Sequence, residues 1–122
     1  MKKIILSTLL LSGVLLAQTA QEIIDANGCL ACHAVSSKKS APAFAGIGKR
    51  NKMFEGTNAK NVIINSIHNG SQGKFRKFSG SAMPSFPTLS KEELSVVSDY
   101  ILSQSSKAKG HGCMNCKNCS NH

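Results

Sequence analysis

Apolar residues recur at helical spacing in three separate stretches of the chain. In residues 20–28, Ile23 and Ile24 precede an Asn-Gly pair, which predicts a short helix that ends in a turn. In residues 60–69, three isoleucines recur at i, i+1 and i+4 and are followed by Gly70, which predicts a second helix with a glycine stop.

A third helix is predicted near the C-terminal end of the apolar pattern. Ser90 and Glu93 have the spacing of a capping box, which marks the start of a helix. Leu94, Val97 and Ile101 follow at i, i+3 and i+7, so they share one helix face. Because no stretch alternates convincingly between apolar and polar residues, the chain is predicted to be all-α.

The first residues have a different pattern. Lys2 and Lys3 precede an apolar run, and small residues lead to a cleavage point near Ala17, which is typical of a secretory signal peptide. The run is shorter than the roughly 20 apolar residues that span a membrane. We therefore expect a cleaved signal over 1–17, export to the periplasm and no stable membrane insertion afterwards. An uncleaved N-terminal anchor is the alternative.

Length and composition limit what the exported chain can be. The full sequence, including the predicted signal, has 122 residues, a formal net charge of +9 and 41% hydrophobic residues. This is enough for one small domain, predicted over 18–104, with a tail over 105–122, and it excludes a multidomain enzyme and a disordered chain. Nucleic-acid binding is not expected either, since the chain is predicted to be exported and has no recognition motif.

One motif carries the candidate chemistry. Cys29, Cys32 and His33 form a C-x-x-C-H run, which in an exported chain indicates a covalent attachment site for haem c. Two thiols three positions apart can reach both vinyl groups of one porphyrin, and the adjacent histidine can then ligate the iron. A thioredoxin-type pair would need a βαβ context, and a zinc site would need a second pair of ligands.

A second axial ligand is predicted at Met83. Pro84 restricts the backbone next to it, and the position is far enough downstream for the chain to wrap a porphyrin. Met53 is predicted to lie in a polar loop, and His68 at the surface or the haem edge, with bis-His ligation as the alternative. Ligation by histidine and methionine leaves no open position on the iron, which describes an electron carrier and not an enzyme.

In sequence order, these motifs resemble the small single-haem class I cytochromes c of bacteria. The matching runs are 27–35, 41–44, 69–73 and 82–84, followed by a final helix that ends at 100–103. The resemblance implies an all-α class I cytochrome c fold, with three to five short helices wrapped around one covalently attached haem. It also implies that the first and last helices cross beside the haem.

The resemblance also implies residue roles and a function. Cys29 and Cys32 would form the thioethers, His33 and Met83 would ligate the iron, and the Pro42 carbonyl would accept the second ring N–H of His33. The implied function is one-electron shuttling between respiratory redox partners in the periplasm. The alternative is a haem-carrying subunit of a larger oxidoreductase.

Several positions depart from the resemblance, and Phe75 bears most directly on the cofactor. Phe75 lies near a place where relatives often have tryptophan, whose indole N–H can hold a haem propionate. A phenyl ring has no such donor, so the propionate contacts of this chain are not predicted by the resemblance.

Basic residues cluster in segments expected to border the haem crevice. Such a ring of positive charge would attract acidic surfaces of redox partners, at rates that fall as salt rises. As a free carrier, the protein is expected to be a monomer. The members, all predicted to lie in loops, are Lys38, Lys39, Lys49, Arg50, Lys52, Lys74, Arg76 and Lys77.

The tail has a separate candidate site after a linker rich in Ser, Lys and Gly. Three cysteines at C-x-x-C-x-x-C spacing with flanking histidines are suited to Cu or Zn ions. The ligands would be His111, Cys113, Cys116, Cys119 and His122. Equally open is a flexible tail with one disulfide and one leftover thiol, which could link two chains. A haem site with Lys117 in place of histidine is disfavoured because no domain surrounds it.

Overall fold

The computed structural model describes residues 17–109. Its four α-helices are α1 (Ala20–Ala26), α2 (Phe44–Glu55), α3 (Ala59–Asn69) and α4 (Lys91–Ser103). Short 3₁₀ turns lie at Cys29–Ala31, Gly56–Asn58, Arg76–Phe78 and Gln104–Lys107. One antiparallel pair joins β1 (Ser71–Gln72) to β2 (Ala82–Met83). The predicted signal peptide up to residue 16 and the tail from residue 110 lie outside the described residues.

The three predicted helices are confirmed as α1, α3 and α4. The Ser90 hydroxyl accepts from the Glu93 N–H at 3.1 Å, and the Glu93 carboxylate accepts from the Ser90 N–H at 2.7 Å. These reciprocal bonds satisfy two backbone donors that the first turn of α4 would otherwise leave unpaired. Thr19 and Glu22 form a second capping box at α1, so side chains define the start of both helices.

Helix α2 is the main correction to the sequence prediction. Met53 and the basic residues Lys49, Arg50 and Lys52, assigned above to loops, lie on this helix. The N-cap Ala43 makes no side-chain capping bond. Glycines and polar residues within the helix also lower its intrinsic propensity. Neither a start signal nor an apolar stripe was therefore present, and tertiary packing stabilises α2.

The core lies where α4 packs against the other three helices. Its buried residues come from all four: Ile23, Ile24, Phe44, Ile63, Ile67, Leu94, Val97 and Ile101. The first and last helices are in contact, as the resemblance implies. Among residues 17–109, no helix combines the length and the apolar character needed to cross a bilayer.

Candidate cofactor site

The core is not closed on itself but surrounds a cavity of about 340 Å³. All four helices contribute apolar walls, through Ile23, Phe44, Ile47, Ile63, Ile67, Val97 and Ile101. A mostly apolar cavity of a few hundred Å³ with a few polar groups is the usual form of a cofactor site. Many core side chains thus face a space that the polypeptide alone does not fill.

Cys29 and Cys32 line this cavity from the 3₁₀ turn that follows α1. Gly28 turns the chain at φ 66°, in the left-handed region that favours glycine. The His33 N–H then donates to the Cys29 carbonyl at 2.9 Å, which closes the turn. Within the described residues, neither thiol is in a disulfide. Cys29 is half-buried, and this burial raises the pKa of its thiol, whereas Cys32 is exposed.

His33 is held in one orientation beside the thiols. It is only 7% exposed, and its Nδ1 lies 2.6 Å from the Pro42 carbonyl oxygen. Because a carbonyl only accepts hydrogen bonds, Nδ1 carries the proton and Nε2 is left with a free lone pair. The ring stacks on Phe44 at 5.2 Å, and Phe44 in turn meets the edge of Tyr100 at 6.2 Å.

Met83 reaches the same cavity from β2. Its partner in the antiparallel pair is Ser71, so the methionine segment is attached to the chain leaving α3. The Phe86 N–H also donates to the Ile67 carbonyl at 3.0 Å. Gly70 allows its backbone to approach that of Met83 closely. Its φ is 77°, and a Cβ at this position would lie only 2.7 Å from the Met83 carbonyl oxygen.

Other residues considered from the sequence lie elsewhere. His68 is half-buried, with Nδ1 3.0 Å from the Asn69 side-chain oxygen, and does not line the cavity. Met53 is 69% exposed on α2. Within residues 17–109, no three or more His, Cys, Asp or Glu side chains cluster as a metal site. The tail ligand set falls outside these residues.

Sequence reasoning missed Asn51, which also lines the cavity. It is 2% exposed, and its amide nitrogen donates to the Ile47 carbonyl at 2.9 Å. Its Oδ1 is buried and has no hydrogen-bond partner among the described residues. Such an atom is costly to bury alone. Asn51 was overlooked because α2 was not predicted, and a lone asparagine has no sequence signal of its own.

The residues fit a covalently attached haem. Apolar walls suit a porphyrin, two free thiols suit thioethers, and an imidazole nitrogen and a methionine sulfur are ordinary haem-iron ligands. The four predicted residues, Cys29, Cys32, His33 and Met83, all line this one cavity.

Comparison with known proteins gives a consistent result. The family described as Cytochrome c matches residues 17–105. Cytochrome c-551 of Pseudomonas aeruginosa is 34% identical over 110 residues, covering 85% of this chain and 99% of that protein. The crystal structure of wild-type Nitrosomonas europaea cytochrome c552 is similar with a TM-score of 0.60 and 25% identity. That match covers 69% of this chain and 98% of the other.

Proposed function

The chain belongs to the cytochrome c family, and on that premise we propose that it is a periplasmic one-electron carrier with histidine and methionine ligation. Membership implies covalently bound haem c and electron transfer. The observation that carries the finer proposal is that Cys29, Cys32, His33 and Met83 line one apolar cavity. The two thiols would form the thioethers, and the other two side chains would ligate the iron.

When bound, the haem supplies a one-electron couple between ferrous and ferric iron. His33 would present Nε2 to it, because Nδ1 donates to the Pro42 carbonyl. This bond also makes the imidazole a more basic ligand. Stacking on Phe44 restricts rotation of the ring, so the ligand is oriented before the cofactor is attached.

Met83 makes the site one for electron transfer and not for substrate chemistry. As a ligand of the iron beside His33, the Met83 sulfur would leave no open coordination site and would raise the reduction potential. The β1–β2 pair and Gly70 keep the methionine segment against the end of α3. Both ligands are therefore held by ordered backbone, which favours electron transfer with little rearrangement.

Partners would approach at the exposed side of the thiol turn. Cys32 is exposed and lines the cavity, so the cavity reaches the surface there. The Lys39 ammonium donates to the Leu30 carbonyl at 2.7 Å, which holds a positive charge beside this opening. An acidic partner surface would be attracted at a rate that decreases with ionic strength.

The experiment compares two variants of the haem-loaded protein. Met83→Ala should abolish the long-wavelength charge-transfer band of methionine-ligated ferric haem, because it removes the sulfur. His68→Ala is the matched control and should retain the band, since His68 does not line the cavity. Absence of the band from the wild type would reject the ligand assignment in favour of bis-His ligation, and survival of the band in Met83→Ala would also reject it.

Copper or zinc binding by the tail stays a separate prediction from sequence. Metal stoichiometry of the full chain and of a form ending at residue 104 would test it. Equal uptake by both would reject a tail site.

A further inference from the structure

Two basic side chains beside the cavity have no carboxylate partner in the part of the chain that the structure describes. Lys74 lines the cavity, and its Nζ donates to the Ser66 hydroxyl at 2.6 Å. Arg50 projects from α2, with its guanidinium carbon 5.2 Å from the centre of the Phe75 ring. Among residues 17–109, Nη1 of Arg50 is buried and lacks a hydrogen-bond partner. The only ion pair in this part of the chain joins Lys60 to Asp99.

The two cations destabilise each other. Burial and the nearby charge of Arg50 lower the pKa of Lys74, and Glu55 acts only in the opposite, weaker direction. Partial burial of two like charges is unfavourable unless an opposite charge joins them. The excess positive charge beside an apolar cavity therefore indicates an anion in the loaded protein.

Phe75 fixes where such an anion would bind. Its ring lines the cavity together with Lys74 and Ser66, while Arg50 contacts the ring as a cation–π pair. The Phe54 ring contacts the same guanidinium, with its centre 5.4 Å from the guanidinium carbon. Guanidinium donors have the fork geometry that suits a carboxylate, and Nη1 of Arg50 is the donor that lacks a partner among the described residues.

We propose that Arg50 and Lys74, the latter held by Ser66, form a carboxylate subsite that takes a propionate of the bound haem. This inference rests on the proposed function, since it requires a haem in the cavity. The Phe75 ring has no hydrogen-bond donor for a propionate. In this chain the two charged side chains would make that contact instead. A free anion such as phosphate has the same charge, so the experiment separates the two sources.

The experiment uses the intact haem-loaded protein with ¹³C-labelled propionates and reads their carboxylate bands by infrared difference spectroscopy. Lys74→Met should shift these bands, because it removes the ammonium that pairs with one carboxylate. Lys74→Arg should restore them. Lys77→Met is the matched control, since Lys77 is exposed and does not line the cavity. It should leave the bands unchanged.

Each result either supports or overturns the inference. Identical bands in wild type and Lys74→Met, or equal shifts in Lys74→Met and Lys77→Met, overturn it. If Lys74→Met does not accumulate, Ser66→Ala must give a smaller shift in the same direction, and no shift overturns it.

The source of the anion is tested by adding inorganic phosphate to the wild type. The nuclear magnetic resonance signal of the Lys74 side chain should not respond if a propionate already occupies the subsite. A saturable response would assign the subsite to a free anion and overturn the propionate assignment. Absence of haem from the wild type would instead reject the proposed function.

Discussion

At Gly48, α2 lies directly against the backbone of α4, and replacing this glycine tests how α2 is held. A Cβ at Gly48 would lie far inside van der Waals contact with the Ile101 carbonyl oxygen. It would also lie 3.3 Å from the Ile101 carbonyl carbon and from the Leu102 Cα. All three are backbone atoms of α4, which packs against α1 and α3 as well. The methyl group therefore cannot be accommodated by a side-chain rotation.

Two opposing terms set the size of the effect. Alanine is favoured over glycine inside a helix by about 1 kcal/mol. Overpacking a core costs about 1–3 kcal/mol, and a rigid backbone contact belongs at the upper end of this range. Gly48→Ala should thus lower the free energy of unfolding by about 2 kcal/mol, which corresponds to a fall in Tm of roughly 8–16 °C.

The matched control lies two residues away on the same helix. Gly46→Ala gains the same helix propensity, but a Cβ there has no neighbour within 4 Å. It should be neutral or stabilising by up to about 1 kcal/mol. Urea unfolding of the haem-loaded variants, followed by helical circular dichroism, measures both. Equal stabilities of the two variants would refute the packing of α2 against α4 described above.

Three further changes probe the methionine segment and the helix starts. Gly70→Ala, at φ 77° and in contact with the Met83 carbonyl, should weaken the methionine charge-transfer band at unchanged haem content. Gly73→Ala, at φ 69° but in open space, should weaken the band less. Equal weakening of the band in both variants would argue against a role for the close contact at Gly70. Ser90→Ala should lower the free energy of unfolding by about 1 kcal/mol in urea, and an unchanged midpoint would contradict the capping bonds. The N-cap backbone N–H and hydroxyl lower the pKa of Glu22, so wild type should exceed Glu22→Gln in stability at neutral pH. This advantage should disappear as the pH falls through the lowered pKa of Glu22. A difference in unfolding free energy that stays constant down to acid pH would contradict this prediction.

Local signals explain which elements could be predicted from the sequence. The Ser90–Glu93 box and the spacing of Ile63 and Ile67 act within a few residues, so α4 and α3 were predictable. Helix α2 was not, because Gly48 serves a contact with α4 that lies some 50 residues away in sequence. A helix whose residues mainly serve tertiary contacts need show neither high helix propensity nor an apolar stripe.

The same distinction applies to the candidate site. Cys29, Cys32 and His33 lie within five consecutive residues, so their spacing alone indicates the chemistry. The environment of Met83 depends on a two-residue strand pair, which is too short to produce an alternating pattern. The buried amide of Asn51 and the approach of Arg50 to Phe75 likewise require the folded chain.

The mass of the intact protein, purified from cells able to attach haem, tests the central claim most directly. The account predicts one added haem that survives extraction with acidic organic solvent, since thioether bonds to Cys29 and Cys32 would hold it. Replacing both cysteines with alanine should leave a colourless polypeptide of the unmodified mass. A wild-type protein that carries no added haem mass would contradict the account.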